Sequence, residues 1–193
     1  MQEPLRSNST TQMTNTIQQY TAVITRCKDL YINKVTDYGT SWRVLRPISI
    51  TDQVYIKAWR IRQIQETGKQ KIGDSIESEF IGIVNYGIIA LIQAALPADT
   101  SFELTPAEAT HWYGVKAKET EELMLQKNHD YGEAWREMSQ ESFADLILTK
   151  LLRIRQILAN DGQTIVSEGI DANFHDIINY AVFALIKIDE QKA

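Results

Sequence analysis

Apolar residues recur three or four positions apart through most of the chain, which is the period of an amphipathic helix. Ile17, Tyr20, Ile24, Cys27 and Tyr31 form the first stripe, and Lys34 continues it with a cation. Asp37-Tyr38-Gly39 marks its end, because glycine favours the position just beyond a helix. Ile50, Val54, Ala58, Ile61 and Ile64 form a second stripe, with Ser49 or Thr51 as the expected cap and Thr67-Gly68 as the stop. A third helix is predicted from Asp74 to Leu96, where Pro97 prevents continuation. Gly82 and Gly87 inside it point to close approach of a neighbouring helix. Thr105-Pro106-Ala107-Glu108 combines a capping box with proline at the first helical position and opens a fourth helix. Asn160-Asp161-Gly162 closes a fifth, and a sixth runs from Glu168 to about Lys187. The prediction is an all-α fold.

The polar positions show that the pattern occurs twice. At an offset of 93 residues, Asp37-Tyr38-Gly39 meets Asp130-Tyr131-Gly132, and Trp42-Arg43 meets Trp135-Arg136. Lys34 meets Lys127, Lys57 meets Lys150, and Arg60-Ile61-Arg62-Gln63-Ile64 meets Arg153-Ile154-Arg155-Gln156-Ile157. One inserted residue later, Asn85-Tyr86 meets Asn179-Tyr180 at an offset of 94. Helical periodicity repeats apolar positions; it does not repeat Asp-Tyr-Gly, Trp and Arg-x-Arg-Gln, so the chain is an internal duplication. The expected organisation is a disordered polar tail over 1–15, a first three-helix repeat over 16–96, a linker over 97–104 and a second repeat over 105–193. A three-helix unit leaves its apolar faces poorly covered, so the six main helices should pack as one pseudo-two-fold bundle.

Totals narrow the function. The 193 residues carry a net charge of −5, which argues against direct nucleic-acid binding but leaves room for a local cationic pocket. Cys27 is the only cysteine, so an intrachain disulfide or a thiolate zinc cluster is excluded. No apolar run approaches the ~20 residues that span a bilayer, and no secretory signal is present, so a cytoplasmic location with no membrane contact is expected. Homo-oligomerisation is compatible with the sequence.

Candidate chemistry sits on the repeated polar residues. Lys57 with Arg60, and Lys150 with Arg153, are three apart on one helix face and could hold a phosphate. Glu168, Asp171 and Asp176 could border one groove and offer oxygen ligands to Mg²⁺. In the first repeat Gly82 stands where the second has Asp176, so the second repeat reads as the more complete carboxylate site. Tyr38, Trp42, Tyr131 and Trp135 could stack on a nucleobase or anchor their loops in the core, and Asp37 and Asp130 could act as bases or form local turn bonds.

Lys34-x-x-Asp37-Tyr38-Gly39-Thr40-Ser41-Trp42, its counterpart from Lys127 to Trp135, and Glu168-x-x-Asp171 through Asn179-Tyr180 resemble the first type of nucleotide-modification-associated domain, long described as a domain of unknown function. The resemblance covers nearly all of both repeats and implies a nucleotide ligand. A more distant similarity is to the all-α MazG-type nucleoside triphosphate pyrophosphohydrolases; this chain departs from them where Lys and Arg replace their paired carboxylates. The leading expectation is a protein that binds or processes a nucleotide or another phosphorylated small molecule, with Mg-dependent phosphoanhydride hydrolysis as the chemistry if it is catalytic. The alternative is a non-catalytic helical scaffold whose repeated charges are interhelical salt bridges.

Overall fold

The computed structural model describes residues 5–97, 99–166 and 168–192, with side chains from residue 15 onward. Six helices follow in order: α1 (Leu5–Tyr38), α2 (Pro47–Thr67), α3 (Ile76–Ala95), α4 (Pro106–Tyr131), α5 (Gln140–Ala159) and α6 (Ile170–Lys192). A 3-10 turn precedes α2 (Ser41–Val44) and another precedes α5 (Ala134–Glu137). The fold is all-α, as the sequence predicts.

Details at the helix ends differ from expectation. Helix α1 starts at Leu5, so most of the polar segment expected as a tail is helical backbone; residues 1–4 lie outside the described residues. Helix α2 starts at Pro47, ahead of the expected caps, because proline pre-sets the helical φ at the first position. The Thr51 hydroxyl instead donates to the Pro47 carbonyl at 2.8 Å. Ser75 caps α3 by accepting from the Ser78 amide, and the Thr105–Glu108 capping box forms as the sequence predicts.

Helices α2, α3, α5 and α6 make the core: α3 lies against α6 and α2, and α5 against α6 and α2, while α1 and α4 pack on each other and on the α3–α6 pair. Helix α3 is, among the described residues, the one helix long and apolar enough to cross a membrane, and its central position in the bundle accounts for that apolarity. Each helix therefore has its duplicate among its neighbours, and the polar contacts between the copies are reciprocal. Tyr20 Oη donates to Asn179 Oδ1 and Tyr113 Oη to Asn85 Oδ1, both at 2.8 Å. Asn85 Nδ2 donates to the Cys27 carbonyl, and Asn179 Nδ2 to that of Thr120. On the outer face Arg155 pairs with Asp52 at 2.7 Å and Arg62 with Asp145 at 3.5 Å. Every one of these pairs maps onto the other when the repeats are exchanged, as a two-fold relation between them requires. The repeated asparagines are thus bolts between copies, buried and bonded on both sides.

Tyr113→Phe leaves the buried Asn85 Oδ1 without its donor and should cost about 1–3 kcal/mol in chemical denaturation, with Tyr20→Phe matching it. Gly87→Val should cost about 1–3 kcal/mol by overpacking, because even a Cβ there would sit 2.6 Å from Ile178 Cγ1 of α6. Gly82 has a different reason: its missing Cβ leaves room for the Lys57 side chain, whose Cδ and Cε would lie 2.9 Å from a Cβ there, rather than for a helix backbone.

Candidate functional site

The first repeat encloses a cleft of about 500 Å³ between α1, the Ser41–Val44 turn, α2 and α3. Two cations line it. Lys57, on α2, is bonded to Glu79 at 3.2 Å, and Lys34, on the last turns of α1, has no ion-pair partner among the described residues. Arg60 is committed elsewhere: it holds Glu79 at 2.6 Å and also donates to the carbonyls of Ile72 and Asp74. Glu79 is thus neutralised by Arg60 and only shares Lys57. Tyr38 and Tyr86 give the cleft aromatic walls, and Gln53 and Ser78 add neutral polar groups.

Two further wall residues carry unmet hydrogen-bonding capacity. Tyr31 Oη and Trp42 Nε1 are buried, face one another without reaching hydrogen-bond geometry, and find no other partner in the protein. Burial pushes the Tyr31 phenol up to about 12, so it stays a neutral donor at physiological pH. A buried polar group left unpaired costs roughly 1–3 kcal/mol. Both atoms are sealed from solvent behind the cleft wall, so they face each other rather than the open space.

The second repeat treats the corresponding space differently. Asp176, where the first repeat has Gly82, is 7% exposed and is held by Lys127 and by Lys150, the latter at 2.6 Å. Burial alone would raise the Asp176 carboxyl; the hydrogen bonds from Lys127 and Lys150 outweigh it and hold it below the ordinary carboxylate value. The acid has moved by one helical turn between the copies. Glu79 in the first repeat corresponds to Asn173 in the second, and Gly82 to Asp176.

Each expected site residue can now be placed. Lys57 faces the cleft, whereas Arg60 is spent on Glu79 and the 72–74 carbonyls. Lys150 is spent on Asp176, and Arg153 is exposed beside the 160–166 loop, in a groove that Glu168 and Asn173 also line. In the second repeat Asp176 and the two lysines beside it are therefore paired with one another. Glu168 and Asp171 are exposed, Asp176 is tied to lysines, and no group of three or more metal-ligating side chains occurs among the described residues. The expected Mg²⁺ triad is not assembled, because both Asp176 oxygens already hold ammonium groups. Trp42 and Trp135 are core anchors, Trp135 stacking on Phe183 at 4.3 Å, while Tyr38 and Tyr131 are exposed. Asp37 and Asp130 face solvent, Asp130 beside His129. Cys27 is sealed in the core, where burial pushes its thiol up to about 12 and makes it inert.

Lys34 stood out in the sequence as a repeated lysine at the head of the family motif but was not assigned to the site, Tyr31 counted only toward the apolar stripe, and Gln53 was not singled out. The available signal was Lys34 itself, a cation placed on an otherwise apolar helical stripe.

The family model described as nucleotide modification associated domain 1 matches residues 34–94 and again residues 127–188. The chain belongs to this family, in two tandem copies. Both matches begin at the lysine of the cleft, Lys34 or Lys127, and run through the helix that carries Asn85 or Asn179. The two matches leave out most of α1 and of α4, which carry Tyr20, Tyr31 and Tyr113, and include the lysines, Glu79, Asp176 and the paired asparagines. No curated protein and no solved structure matches the chain.

Proposed function

We propose that the chain binds a phosphorylated nucleotide in the cleft of its first repeat. The observation that carries this reading is the coincidence, in one cavity, of an unpaired Lys34, a half-engaged Lys57 and the aromatic walls of Tyr38 and Tyr86. A phosphate between Lys34 and Lys57 would gain charge-assisted hydrogen bonds, and Lys57 could turn to it because Arg60 already neutralises Glu79. Tyr38 and Tyr86 offer faces on which a base can stack, and Gln53 offers an amide that can pair with a base edge. The cavity volume lies within the usual range for small-molecule sites. Membership of a nucleotide-modification-associated family supports the same ligand class.

The scaffold reading describes the second repeat, where Lys127, Asp176 and Lys150 close on one another. On this account the two copies divide the work, one open and one structural.

A thermal-shift screen with nucleoside mono- and triphosphates, with and without Mg²⁺, tests the proposal. A ligand at about 100 times its Kd adds about 2.7 kcal/mol, which for a chain of this size raises Tm by about 5–10 °C. The shift should vanish in Lys34→Ala. Absence of a shift with every nucleotide at millimolar concentration would contradict the proposal.

A further inference from the structure

We infer that Asp176 is a built-in counter-anion that occupies, in the second repeat, the place a phosphate takes in the first, so that each chain binds one phosphorylated ligand and removal of Asp176 opens a second site. This inference rests on the first-repeat reading above. Lys127 and Lys150 occupy the positions of Lys34 and Lys57, and both converge on the Asp176 carboxylate. A carboxylate and a phosphate present the same kind of anionic oxygen to an ammonium group, so the acid satisfies the two lysines as a ligand would. In the first repeat the acid is one turn away, as Glu79, and shared with Arg60. Gly82 leaves the vacated volume to the Lys57 side chain and the cleft.

The remainder of the second pocket keeps a trace of the same design. Trp135 Nε1 is buried without a partner, as Trp42 Nε1 is. Tyr180 sits where Tyr86 does, next to Asp176 and Lys127 in its electrostatic surroundings. Met124 and Leu146 replace Tyr31 and Gln53, however, so an opened second site keeps its phosphate grip and loses polar contacts to the rest of a nucleotide. It should therefore bind more weakly than the first.

The test exchanges the arrangement. Asp176→Gly with Asn173→Glu gives the second repeat the acid placement of the first, and Asp176→Asn removes only the charge. Binding stoichiometry is measured by equilibrium dialysis with deoxyadenosine monophosphate and with inorganic phosphate, on full-length chains whose helicity by circular dichroism matches the parent. The expected result is one site in the parent, abolished by Lys34→Ala, and a second, weaker site in both Asp176 variants that persists with Lys34→Ala and disappears with Lys127→Ala. Two sites in the parent, or one site in the charge-neutral variant, overturns the inference while leaving the first-repeat reading intact. One parental site that is insensitive to Lys34→Ala and lost with Lys127→Ala reverses the assignment of the repeats and overturns both. No binding to the parent overturns the first-repeat reading; the inference then falls with it.

Discussion

Gly82→Asp should lower nucleotide affinity at least ten-fold while leaving the chain folded. The atoms nearest a Cβ at this position are the Cδ, Cε and Nζ of Lys57, the flexible end of a long side chain, so it can be accommodated by a shift of that lysine. The added carboxylate would then stand where Asp176 stands in the second repeat, within reach of Lys57 and Lys34. Both cations would gain an internal partner, and the cleft would lose its claim on an external phosphate. A hydrogen bond to a charged group contributes about 1.5–3 kcal/mol, so losing one such bond lowers affinity about 10–100-fold. Leaving the helix interior, glycine also gives way to a residue of better helix propensity, and Tm should hold or rise slightly. Titration calorimetry and a melting curve on the same variant read both effects. Unchanged affinity would show that the phosphate does not sit between Lys34 and Lys57.

Asp176→Ala should be the most destabilising single change among the charged residues, at about 3 kcal/mol. Breaking a buried ion pair by removing one partner costs about 3–5 kcal/mol because the other charge is left uncompensated. The lower end applies here, since Lys150 is 13% exposed but Lys127 is about half exposed and can turn to water. For a chain of this length the Tm should fall by about 6–12 °C. The same pair sets a pH dependence. The folded-state pKa of Asp176 is depressed, so its contribution is fully present above the unfolded value of about 3.9 and is lost as pH falls through the lower folded value. Urea midpoints measured between neutral pH and pH ~3 should therefore drop more steeply for the parent than for Asp176→Ala. Parallel curves would remove Asp176 from the acid-sensitive set.

The fold was legible because the apolar period and the duplicated motifs are local properties of the chain. Capping at Thr105, the glycines beyond α1 and α4, and the close approach at Gly87 all follow from residue chemistry within one turn. The site was legible only in part. The repeat alignment pointed to Lys57, Lys150 and Asp176, but Gly82 in place of an acid made the second copy read as the more complete carboxylate site. That reading could not include Glu79, which supplies the acid from one turn earlier, because compensation between helices depends on which side chains meet in space. Arg60 looked like a phosphate ligand for the same reason: its three partners lie 12 to 19 residues away. The paired asparagines were visible as a repeat, yet their role between copies depends on Tyr20 and Tyr113 reaching across the bundle.

A crystal structure grown with a nucleoside monophosphate would show which repeat holds the ligand. The phosphate should lie within hydrogen-bond reach of Lys34 and Lys57, with the base against Tyr38 or Tyr86 and Asp176 still held by Lys127 and Lys150. A nucleotide bound in the second repeat with the Asp176 pairs broken, or lodged outside the first-repeat cleft, would contradict this placement.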